Sequence, residues 1–130
     1  IVTGSQASVL PYDICNKSMF PLKQFNFLMG TQPDCMILCI NPYDDIDYIR
    51  RTIFFLESSV AGEVIGLCIY PMNYKSDWTG MYHQKELLSE TEIEFFKTMF
   101  SQEFNIPSYQ LGSAADIASL YEDVVAFFSH

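Results

Sequence analysis

Apolar residues in this chain gather in short blocks whose spacing changes from one block to the next. Two compact runs, CMILCI within 33–40 and VIGLCIY over 64–70, flank a stretch in which Ile46, Ile49, Ile53, Leu56 and Val60 recur at steps of three and four. The first run has no alternation, which predicts a strand buried on both faces in the middle of a parallel sheet. The stepped residues form the apolar stripe of a helix, with Asp47 and Arg51 as an i,i+4 pair on its wet side. Asn41 is placed to cap that helix, Pro42 suits its first position, and Asp44, Asp45 and Asp47 bring negative charge to the positive end of its dipole. Gly62 is expected to stop it. Strand, helix and strand then make a right-handed parallel crossover.

The same grammar continues downstream. Ser89-Glu90-Thr91-Glu92 has the form of a capping box, and Ile93, Phe96, Phe100 and Phe104 line one face of the helix that follows, which Asn105 and Pro107 end. A short strand over 106–111 leads through Gly112 to a cap at Ser113 and a last helix with Ile117, Leu120, Val124 and Phe128 as its buried stripe. Upstream, 1–3 reads as a strand stub and 21–29 as a short helix presenting Leu22, Phe25 and Leu28, with Gly30 as its terminator. The outline is a single α/β domain over 1–130, a three-layer sandwich with a mostly parallel sheet of about four strands. One connection is long: 71–88 joins strand to helix where two to six residues are usual, and such loops gather at the C-terminal edge of parallel sheets, where ligands bind.

Composition narrows the classes. The chain has 130 residues, 49% hydrophobic, with 7 Lys+Arg against 16 Asp+Glu and a net charge of -9. That apolar content is incompatible with disorder, and a domain of this length buries roughly two thirds of its unfolded surface without a disulfide or metal staple. No apolar run approaches the roughly 20 residues of a membrane span, and no secretory signal is visible, so a cytoplasmic protein without membrane contact is expected. The acidic balance argues against nucleic acid, because phosphate neutralisation needs clustered Lys and Arg. The chain opens at Ile1 in strand-like sequence without an initiator Met, and is therefore expected to be part of a longer protein. Cys15, Cys35, Cys39 and Cys68 lack CxxC spacing, and the last three lie in apolar runs. They are expected to be reduced, with Cys35, Cys39 and Cys68 buried. Cys35 and Cys39 would lie about 13 Å apart on one face of their strand, too far for a bridge.

Candidate chemistry is sparse. IVTGSQAS has the strand-Gly-polar form of a phosphate-binding turn, with Gly4, Ser5 and Ser8 as the residues that would face an anion, but the stretch lacks the second Gly and the Lys of a Walker A loop. Hydrolysis of ATP or GTP is therefore not expected. Asn41, Asp44 and Asp45 follow the first strand where α/β proteins place Mg²⁺ or ligand-reading carboxylates, although helix capping accounts for all three. The long loop carries Lys75, Asp77, Trp78 and His83, a mixture suited to recognition. His83 has no nucleophile at a motif-like spacing and the other His is His130, so no catalytic residue, metal site or cofactor is assigned. Phe95 with Phe96, and Phe127 with Phe128, are too close in sequence to share a helix face. Some of these phenylalanines are expected to meet a second surface, either the rest of a longer protein or a second copy of the chain.

The stretch QPDCMILCINPYDDIDYIRRTIFFLESSVAGEVIGLCIYPM, with NPYDD at its centre, resembles a family of bacterial peptide maturation system proteins, linked to operons that modify ribosomally made peptides. The arrangement is also similar to a Rossmann-like or phosphate-loop-like half without a complete Walker A motif. The first resemblance implies an accessory, non-catalytic binding domain that acts by protein or peptide contact. The second implies the alternative, part of an enzyme in which Gly4, Ser5 and Ser8 hold a phosphate-bearing ligand and Asp44 or Asp45 holds Mg²⁺. In either case a partner is expected to meet the C-terminal edge of the sheet.

Overall fold

The computed structural model describes residues 1–5, 8–72 and 87–129. β1 (Cys35–Ile40) leads to α2 (Ile46–Ser59) and β2 (Glu63–Ile69), and α3 (Glu90–Phe104) precedes β3 (Ser108–Gln110) and α4 (Ala114–Phe127). A helix α1 (Leu22–Thr31) and one 3-10 turn (Lys17–Met19) come first. Local signals set most helix ends. Ser89 and Glu92 form the reciprocal capping box, Asn105 ends α3 in the left-handed region at φ 55°, and Ser113 caps α4 just after Gly112 at φ +90°.

Two helix ends differ from the reading of the sequence. α2 starts at Ile46 with Asp45 as its cap, whose carboxylate accepts the Tyr48 N–H at 2.9 Å, so Asn41 and Pro42 belong to the preceding turn. A string of capping residues does not say which one caps; Asp45 has extended φ/ψ and reaches the free N–H three residues on. α1 runs through Gly30 to Thr31 and is closed by Gln32 at φ 41°, since a glycine inside a helix weakens it without obliging it to end.

The three strands are parallel in the order β1-β2-β3. β2, not β1, is the central strand, and it is buried along nearly its whole length, whereas β1 is an edge strand with Ile37 and Cys39 exposed. An apolar run reports burial but not which neighbours provide it. Residues 1–3 form no strand and are fully exposed, so the described residues give three strands rather than about four. Between Met36 and Ile37 the register shifts by one residue, with Met36 opposite Val64 and Ile37 opposite Gly66. This bulge places Val64, Leu67 and Ile69 on one face of the sheet and Gly66 and Cys68 on the other.

α2 and α3 cover the first face. Ile40, Ile49, Leu56, Val64, Leu67, Ile69 and Phe100 form its core, with Leu28 of α1 joining them and Met36 and Leu38 packed alongside. α4 lies on the second face, where Leu120 and Tyr109 approach Gly66 so closely that a Cβ there would sit 3.1 to 3.2 Å from them. The sheet is thus flanked by helices on both sides. Gly62 has a different role from the one its position predicts: α2 has already ended at Ser59, and the glycine is needed because a Cβ would overlap the carbonyl oxygen of Pro33 at the entrance to β1.

Candidate functional site

The C-terminal edge of the sheet gathers the starts of α2, α3 and α4. Each carries its own side-chain cap: Asp45 for Tyr48, Ser89 for Glu92 and Ser113 for Asp116. At each of these helix starts one of the free N–H groups is therefore already bonded. Asp44 Oδ2 accepts the Asn41 N–H at 2.8 Å, and Asn41 Oδ1 accepts the Tyr43 N–H at 3.1 Å, so Asn41, Asp44 and Asp45 close one turn upon themselves. Burial pushes the Asp44 carboxyl above its ordinary value, opposed by the hydrogen bond from Asn41. Gly4, Ser5 and Ser8 are exposed and lie in neither helix nor strand, which removes the strand-to-helix frame that a phosphate cradle needs. Lys75, Asp77, Trp78 and His83 lie outside the described residues. The flanks of their loop meet, with Met72 bridging Leu87 and the Leu88 N–H donating to the Pro71 carbonyl, so the loop leaves and rejoins the fold at this edge. No group of three or more potential metal ligands occurs among the described residues.

A polar cluster that the sequence did not announce joins α4 to β3 and α3. Asp116 accepts the Gln110 N–H at 2.6 Å and pairs with Lys97 Nζ at 2.9 Å, with both side chains less than a fifth exposed. Burial alone would raise the Asp116 carboxyl, but the bonds from Gln110, Lys97 and Ser113 outweigh it and hold it below the usual carboxylate range. Near the middle of the helix the Tyr109 hydroxyl donates to Asp123, and burial together with that carboxylate raises the phenol. These contacts position α4; they leave no acid or base aimed at a cavity.

All four cysteines are free, but two of the three expected to be buried are not: Cys35 is half-buried and Cys39 exposed, while Cys68 is buried. The reason is the edge position of β1. Cys35, Ile37 and Cys39 point to the second face, where α4 stands over β2 and β3. Cys39 and Cys68 are register partners, and the Cys68 thiol donates a hydrogen bond to Cys39. Both strands end in the same tripeptide, Leu38-Cys39-Ile40 and Leu67-Cys68-Ile69, aligned residue for residue. That repetition was the available signal for the pair.

The remaining exposed chemistry is apolar. On α4, Leu120, Val124 and Phe127 turn inward, while Ile117, Tyr121, Val125 and Phe128 form an exposed stripe at four-, four- and three-residue steps. Ile117 and Phe128, expected in the core, are thus on the outside: the helix leans on the sheet through the row beginning at Asp116. Each phenylalanine pair divides between two surfaces, with Phe96 and Phe127 turned in and Phe95 and Phe128 out. Two open depressions lie away from the C-terminal edge. One of about 350 Å³ is on the outer side of α3 beside Phe95 and Met99, and one of about 530 Å³ lies at the opposite sheet edge between Ile53, Gly62 and Ile106. No helix among the described residues is long and apolar enough to cross a membrane. Comparison with protein-family models, with curated proteins and with solved structures gives no match to this chain.

Proposed function

We propose that this chain is an accessory, non-catalytic binding domain of a bacterial peptide-maturation system, and that it acts by contact with a ribosomally made peptide. The carrying observation is the exposed stripe Ile117, Tyr121, Val125 and Phe128, four large apolar side chains in a row on one helix, with Tyr121 69% exposed. A row of this kind suits protein or peptide contact better than scattered exposed apolar residues do. Charge narrows the partner. α4 has no Lys or Arg, its Glu122 and Asp123 are exposed while Asp116 is paired inward with Lys97, and the chain has a net charge of -9, so a peptide with apolar anchors flanked by basic residues is the complementary occupant. The absence of an acid-base pair in a cleft among the described residues favours binding over turnover. The sequential parallel order β1-β2-β3, with α2 and α3 on one face, is also what one half of a Rossmann-like sheet has; that likeness concerns architecture and adds nothing to the function.

The test is fluorescence anisotropy with a labelled synthetic peptide that carries aromatic and aliphatic anchors flanked by Lys and Arg. Saturable binding is expected, weakened roughly tenfold or more by Tyr121→Ala, as befits an aromatic anchor. Absence of saturable binding, or equal binding by Tyr121→Ala and Phe128→Ala, overturns the proposal.

A further inference from the structure

We propose that Cys39 and Cys68 are a reversible dithiol–disulfide pair that reacts with low-molecular-weight disulfides, Cys39 as the attacking thiol and Cys68 as the resolving one. Geometry is the first ground. The two residues are direct partners in the β1-β2 ladder, so their side chains leave the same face of the sheet. Neighbouring strands lie about 4.8 Å apart, within the roughly 4.4 to 6.8 Å between Cα atoms that a disulfide spans. The two thiols are near enough to influence each other's ionisation. No other pair shares this arrangement: Cys35 is on the same face but its ladder partner is Glu63, and Cys15 precedes the sheet altogether.

Access is the second ground, and it separates the two roles. Cys39 is exposed on the edge strand, whereas Cys68 is buried on the central strand beside Asp116 and α4. A small disulfide can therefore reach Cys39 first. The hydrogen bond from Cys68 favours the Cys39 thiolate and draws it down to about 6, while that bond, burial and the negative charges of Cys39 and Asp116 keep Cys68 protonated. The thiolate thus forms on the sulfur that a reagent can approach.

The chemistry balances with the small disulfide as oxidant. Cys39 Sγ attacks one of its sulfurs as the thiolate, the S–S bond breaks, and the small thiolate that leaves takes up the proton that Cys39 had released, giving the first small thiol. Cys68 Sγ then attacks Cys39 Sγ in the mixed disulfide, loses its own proton and expels the second small thiol. Two electrons pass from the protein to the reagent, one protein S–S bond forms, and two small thiols are released. In the mixed disulfide Cys39 carries no charge, so burial and the nearby Asp116 are what still hold the proton on Cys68, and the second step accelerates as pH rises.

The full chain is incubated with oxidised glutathione and mapped by mass spectrometry after digestion. The expected product joins the peptides of Cys39 and Cys68, forms faster at higher pH, and is reversed by excess dithiothreitol. Cys68→Ala is expected to stop at a glutathione adduct on Cys39, and to alkylate there several-fold more slowly at neutral pH than the parent, because the donor to the thiolate is gone. Circular dichroism checks that this variant folds; if it does not, mapping of the parent chain decides alone. A parent chain that yields only a persistent adduct on Cys39, a bridge involving Cys15 or Cys35, or no product overturns the proposal.

Discussion

The two faces of the sheet are held in different ways. On the face covered by α2 and α3, Phe100, Ile49 and Leu67 are essentially inaccessible and belong to one continuous apolar core. On the other face α4 has no buried residue at all, and polar contacts hold it at points along its length: Asp116 to Lys97 and to the Gln110 N–H, and Asp123 to the Tyr109 hydroxyl. Burial is non-directional and scales with area, so the first face should resist loss of polar groups and suffer from loss of volume. Directional bonds make the second face sensitive to charge and pH while leaving a whole apolar row of α4 free for other contacts. A helix held partly by polar groups can commit one apolar row, Leu120, Val124 and Phe127, to its own fold and keep the next row free.

This contrast is sharpest for Phe100. Phe100→Ala should destabilise the domain by about 4 kcal/mol through lost transfer energy and the cavity left behind, read as a drop in the urea midpoint. A cost below about 1 kcal/mol would mean that the α2-α3 face is not the main core. Gly62→Ala should cost up to about 3 kcal/mol, because the new methyl meets backbone at Pro33 rather than a side chain that can turn away. An unchanged midpoint would show that the α2-to-β2 connection is looser than its geometry implies.

The pinned face should respond to acid. The Asp116 carboxyl is lower in the folded than in the unfolded chain, so its contribution is fully present above the unfolded value of about 3.9 and is lost as pH falls through the folded value. Asp116→Asn should therefore cost about 1.5 kcal/mol at pH 7, and the gap to the parent should close towards pH 3 in urea titrations. A gap independent of pH would remove the charge from the account. The smallest effect belongs to the exposed row: Tyr121→Ala should shift stability by less than about 0.5 kcal/mol. A loss as large as that of Phe100→Ala would place Tyr121 in the fold rather than on a free surface.

Much of this organisation was legible before any coordinates. The Ser89 capping box, the left-handed Asn105, the Gly112 turn and the inward Ile49 and Leu56 each follow from contacts within a few residues of the chain, and such contacts are written in local sequence. The candidate site was less legible. Asn41, Asp44 and Asp45 present the same sequence whether they bind a ligand or one another, and only their bonds distinguish the cases. Cys39 and Cys68 both look like buried thiols in the sequence and only Cys68 is one, because a strand's composition does not record whether the strand lies at the centre or the edge of its sheet.

By itself, then, the sequence determined the alternation of strands and helices, the parallel crossover between β1 and β2 and the ends of α3, because these depend on side-chain periodicity and short-range hydrogen bonding. Tertiary structure decided the rest: that β2 is central, that 1–3 adds no strand, that α4 leans on the Asp116-Leu120-Val124 row and shows the next one to solvent, and that two cysteines far apart in sequence become ladder partners. Each of these is fixed by which surfaces meet across the sheet, and an apolar side chain carries the same hydrophobic signal whichever neighbour covers it.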